Sequence, residues 1–94
     1  MARTERLTPA QLAPAPWPTV ESPDPVGEVA RQFVLNLTAA IDGASIRSVS
    51  ATANLHHTTL LGILDGRTWP DLETIAKIEL GLDADVWPRR SRPR

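Results

Sequence analysis

Between Ser45 and Gly66 the chain reads SIRSVSATANLHHTTLLGILDG, two short helical patterns hinged on Asn54 and Leu55. The first, Ser45 to Ala53, places Ile46, Val49 and Ala53 on one side. The second, His57 to Asp65, does the same with Leu60, Ile63 and Leu64. Apolar residues three and four apart give each helix one face to bury. Neither helix is long enough to persist alone, so both must dock on other helices. Ser45 is a suitable N-cap for the first. Two helices crossing at a tight turn make a helix-turn-helix unit, and the second helix of such a unit is able to enter the major groove of DNA.

The flanking segments supply the helices this unit needs. Val26, Val29, Ala30, Phe33, Leu37, Ala40 and Ile41 recur at helical spacing, with Glu28, Arg31, Gln32 and Asn36 on the opposite face. Asp24 is placed as N-cap, Pro25 at the first helical position and Gly43 as C-cap. Downstream, Asp71 heads a helix whose apolar side holds Leu72, Ile75, Ala76, Ile78 and Leu82. Gly81 inside that helix costs about 1 kcal/mol relative to Ala. Asp83 suits a left-handed residue at its end, and a last short turn carries Val86 and Trp87 before Pro88. No segment alternates with period two, so the expectation is an all-α bundle of four to five helices.

Residues 1–25 are of another kind. They hold six of the nine prolines and no sustained apolar period. Proline removes backbone donors and drives its predecessor toward extended conformations. This segment is expected to be a flexible or polyproline-like arm. Trp17, between Pro16 and Pro18, reads either as an aromatic resting on the domain or as an anchor for a protein partner. Residues 26–88 form the domain, and Arg89 to Arg94 (RRSRPR) a basic tail.

Ninety-four residues suffice for one small domain with one modest core. Cysteine is absent, which excludes disulfides and thiolate metal sites. Two adjacent histidines without a third ligand make a zinc site improbable, and no cofactor is expected. No apolar run reaches membrane-span length, and the expectation is a cytoplasmic chain. No acid/base pair, nucleophile arrangement or phosphate-cradling glycine loop is present, so an enzyme is not expected.

The net charge is −1, low for a binder of phosphate backbones. Its distribution is uneven. Ser45 to Trp69 carries Arg47 and Arg67 against Asp65, whereas Pro70 to Pro88 sets Asp71, Glu73, Glu79, Asp83 and Asp85 against Lys77. The helix-turn-helix and the tail are the stretches with a positive balance, consistent with a DNA face backed by an acidic far side.

Ala53-Asn54-Leu55-His56-His57-Thr58-Thr59-Leu60, followed by Ile63, Gly66-Arg67 and Trp69-Pro70-Asp71-Leu72-Glu73-Thr74-Ile75-Ala76, resembles the Cro/C1-type (XRE, lambda-repressor-like) helix-turn-helix regulators. The resemblance covers about residues 28–88. It implies a compact five-helix bundle that binds double-stranded operator DNA, usually as a homodimer. Asn54 stands where that family favours Gly, His56 where it favours a Ser cap, Ile46 where a Gln is frequent, and Gly62 where many members carry a long polar side chain.

On a recognition helix the N-terminal residues and those one turn later face base edges. Here these are His57, Thr58, Leu61 and Gly62. Thr58 offers a hydroxyl and a methyl group, Leu61 an apolar contact to thymine, and His57 one donor and one acceptor. Backbone contacts are assigned to Ser45, Arg47, His56, Thr59, Arg67 and Thr68, which flank the groove. Trp69 reads as core or as a lid over the first long helix. The basic tail reads either as a minor-groove arm or as a solvated terminus. Two other functions are open: an antitoxin that wraps a toxin with residues 1–25 and autoregulates its operon, or a protein-interaction module that has lost DNA binding.

Overall fold

Capping chemistry sets the helix boundaries. The Asp24 carboxylate accepts from the Gly27 amide at 2.7 Å and starts α1, Pro25–Ile41, with Pro25 at its first position. The Ser45 hydroxyl accepts from the Ser48 amide and starts α2, Ile46–Ala53. Asp71 accepts from the Thr74 amide and starts α4, Leu72–Leu82. Between them lies α3, His57–Leu64. The computed structural model describes residues 6–89, and among these it contains four α-helices, a 3-10 turn at Pro9–Leu12 and no strand. Residues 1–5 and most of the basic tail, 90–94, lie outside the described residues.

Left-handed residues end three of the helices. Asp42 (φ 49°) closes α1, one position before the expected Gly43, which follows at φ 82°. Asn54 (φ 56°) and Asp83 (φ 51°) close α2 and α4. A short polar side chain tolerates this conformation better than a bulky one.

The core is drawn from every helix: Phe33 and Leu37 of α1, Val49 and Ala53 of α2, Leu60 and Ile63 of α3, Ile78 of α4 and then Val86. Gly81 has a packing reason. A Cβ there would stand 2.8 Å from Ala53 Cα and 2.9 Å from the Thr52 carbonyl, so α2 and α4 touch backbone to backbone.

Four expectations are corrected. Val26 is exposed rather than core. On α4, Ile78 is buried and Ile75 and Leu82 pack against the core, whereas Leu72 and Ala76 point away. The apolar set of α4 spans too much of the circumference for one buried stripe, so one edge stays in solvent. Val86 and Trp87 form no helical turn, because Glu79 Oε2 accepts both of their amides, at 2.9 and 3.0 Å. Arg31 is not on a solvated face but buried, paired with Glu28.

That pair explains a fifth departure, the largest. The Arg31 guanidinium donates to both Glu28 oxygens, at 2.8 and 2.7 Å, and to the Pro18 carbonyl at 3.0 Å. Glu28 also accepts from the Ser22 amide at 2.8 Å and from Gln32. The proline-dense segment is therefore docked from residue 6 onward, not a free arm. The hydrogen bonds from Arg31 hold the Glu28 carboxyl down from 4.5 to about 2 against the opposing effect of burial, with the Ser22 amide and Gln32 assisting.

Candidate nucleic-acid interface

The turn between α2 and α3 is built from backbone bonds. The Asn54 amide donates to Ala51 O at 3.2 Å and the Leu55 amide to Ser50 O at 2.8 Å, which redirects the chain. Leu55 then packs against the core, while extended His56 leads into α3. His56 makes no side-chain cap bond. The start of α3 thus presents backbone donors without a side chain over them, at the positive end of the helix dipole.

His57 and Thr58 are exposed, and so is Leu61 one turn on. Positions 57, 58 and 61 lie within a third of the helix circumference and share one side. Arg47 and Ser45, in and before the first turn of α2, are exposed as well. Arg47, His56 and His57 line one shallow groove of about 300 Å³ with Ser50, Ala51 and Leu55. The Ser50 hydroxyl in its wall is buried without a hydrogen-bond partner. At the other end of α3, Arg67 and Thr68 are exposed, and Arg67 pairs with Asp65 at 3.1 Å. Both members of that pair face water, so little energy opposes its release. Thr59 is half-buried.

Gly62 does not share this surface. It is buried, and the Thr68 hydroxyl stands 2.8 Å from where its Cβ would be. Its carbonyl accepts the Arg67 and Thr68 amides, so the loop after α3 folds back over it. Gly62 is removed from the set of base-contacting residues.

The docked N-terminal segment bears on α3 directly. Trp17 donates its indole N–H to Leu64 O at 2.9 Å, Ala10 N–H to Gly66 O at 2.9 Å, and Trp69 its indole N–H to Leu7 O at 2.8 Å. Gly66, at φ 72°, lies so close to Trp17 and Ala10 that a Cβ would stand under 3 Å from both. Trp17 anchors within its own chain. The segment secures the C-terminal end of α3 and leaves His57 and Thr58 uncovered. Of the two readings of Trp17, the aromatic resting on its own domain is the one found; its hydrogen bond to the end of α3 is not legible from a tryptophan set among prolines.

Residues 43–64 contain no Asp or Glu. An eight-residue helix is about 12 Å long, which matches a major groove about 12 Å wide. The arrangement therefore sets Arg47 and His56 at one end of a groove-sized rod, Arg67 and Thr68 at the other, and His57, Thr58 and Leu61 between. Comparison with protein-family models, curated proteins and solved structures finds no match. No helix among the described residues is long and apolar enough to cross a membrane.

Proposed function

We propose that this chain is a sequence-specific DNA-binding regulator of transcription, with α3 as recognition helix, in a bundle of the lambda-repressor-like type. The observation that carries the reading is the exposed His57-Thr58-Leu61 face of α3, which shares the acid-free stretch 43–64 with Arg47 and is followed by Arg67. Thr58 and Leu61 read base edges, and His57 bonds a base or a phosphate. Ser45, Arg47, His56, Arg67 and Thr68 hold phosphates. One such helix covers only a few base pairs, so the chain acts as a homodimer on a two-fold site with half-sites about one helical turn apart. This places it in the cytoplasm with its DNA.

The antitoxin reading needs a free N-terminal segment, and residues 6–24 are bound to their own domain. Selection of bound sequences from a random DNA pool tests the proposal. A palindromic consensus is the expected result, and no enrichment even at low salt overturns it.

A further inference from the structure

The face of α4 that turns from the core is unusually apolar. Leu72, Ala76 and Leu80 recur every four residues along it, and both leucines are 84% exposed. At its N-terminal end this edge opens into a cleft of about 300 Å³ between α1 and α4, walled by Val26, Phe33, Trp69, Leu72, Ile75 and Trp87. Trp87 stands edge-on to Phe33 and is 54% exposed. Trp69 commits its indole N–H to Leu7, so the cleft presents almost nothing but carbon. A small ligand is oriented by a few convergent polar groups, which this cleft lacks. A continuous exposed apolar strip of this kind marks a protein-interaction surface.

The other end of the strip is acidic. Leu80 and Ala76 border a shallow groove with Glu79, Asp83 and Asp85. Glu79 is engaged by the Val86 and Trp87 amides, while Asp83 and Asp85 are exposed. Lys77, the lone cation from Pro70 to Pro88, leans toward Glu73 at 3.8 Å. This charge selects the occupant. A second copy docked two-fold on the same face brings acid against acid if the α4 helices run parallel, and lays Asp83 and Asp85 on the other copy's carbon-lined cleft without a counter-charge if they run antiparallel.

We infer that this face docks a basic amphipathic helix of a partner protein. A bulky apolar side chain of that helix enters the cleft, and its lysines or arginines meet Asp83 and Asp85. Leu72 and Leu80 are about 12 Å apart along α4. Anchor and basic residues in the partner are therefore about two turns apart, the pattern of helix-in-groove recognition.

The test uses the full chain and a synthetic peptide of about 16 residues, long enough to hold a helix. It carries a central Phe in an apolar stripe and lysines about two turns to either side; a matched peptide has Glu for Lys. Saturable anisotropy, with shifted Trp69 and Trp87 indole resonances and an unmoved Trp17, is expected for the basic peptide, and binding about tenfold weaker for the acidic one. Leu80→Ser weakens binding without lowering the unfolding midpoint, since Leu80 supports no core. Asp83→Lys with Asp85→Lys reverses the peptide preference. Equal binding of both peptides, binding of neither, or a preference indifferent to the reversal overturns the inference. So does a monomer–dimer equilibrium abolished by Leu80→Ser, which assigns the face to a second copy. None of these outcomes depends on DNA binding.

Discussion

The indole N–H of Trp17 donates to the carbonyl of Leu64 at 2.9 Å, joining positions 47 residues apart. Leu64 is the last residue of α3, where carbonyls lose their intrahelical partners. A side chain from the proline-rich segment supplies the missing donor, and its ring covers Gly66. The segment is thereby part of the scaffold that holds the proposed recognition helix.

Trp17→Phe separates the hydrogen bond from the ring. Loss of the bond alone costs about 1 kcal/mol. Trp17→Ala also removes packing and costs about 2–3 kcal/mol, less than a fully buried tryptophan. Urea unfolding measures both. Equal effects from the two variants place all the stabilisation in the bond, and no effect from either detaches the segment from the fold.

Glu28 predicts how stability responds to acid. Its carboxyl is held down from 4.5 to about 2, so the folded state favours the ionised form. The contribution is complete above the unfolded value and is lost as pH falls from 4.5 toward 2. A drop of this size corresponds to on the order of 3 kcal/mol. Glu28→Gln leaves the buried Arg31 charge without its counter-ion and is destabilised by about that amount at pH 7. Denaturation across pH checks the sign: the two proteins converge in acid, and parallel profiles refute the assignment.

Much of the helical layout is local chemistry and was therefore legible. Asp24, Ser45 and Asp71 cap because an oxygen two or three residues before the first free amides reaches them regardless of the rest of the fold. Asn54 and Asp83 turn the chain for equally local reasons. What escaped was decided at a distance. Trp17 finds Leu64, and Trp69 finds Leu7 across 62 positions, and no periodicity points to either. On α4 the apolar residues cover so much of the circumference that the sequence pattern leaves open which edge is buried. Gly62 shows the same ambiguity in α3, since having no side chain it carries no mark of inside or outside.

Two helical glycines give opposite expectations from the same clash. An added Cβ at Gly81 meets Ala53 Cα at 2.8 Å, and at Gly62 it meets Thr68 Oγ1 at 2.8 Å. Replacing Gly by Ala in a helix gains about 1 kcal/mol of propensity. At Gly81 the obstacle is backbone, so overpacking of about 1–3 kcal/mol outweighs that gain. At Gly62 the obstacle is a rotatable hydroxyl, which moves aside. Thermal unfolding should place Gly81→Ala below the parent and Gly62→Ala at or above it. The reverse order contradicts the packing described for α2 and α4.

The proposed DNA face separates into charge and reading. Arg47→Ala and Arg67→Ala each remove one phosphate contact, so each weakens binding to all sequences alike and flattens the salt slope by about 0.9. Thr58→Ala leaves the slope unchanged and relaxes preference at one base pair, by about 1–3 kcal/mol. Asp65→Asn frees Arg67 from its partner and steepens the slope. Ser50→Ala is the internal control: its hydroxyl is buried and unpartnered, so removing it leaves affinity unchanged and stability equal or slightly higher. Anisotropy titrations from about 50 to 200 mM salt resolve the slopes. If Thr58→Ala moves the salt slope and Arg47→Ala moves the base preference, the orientation of α3 in the groove is wrong even though DNA is bound.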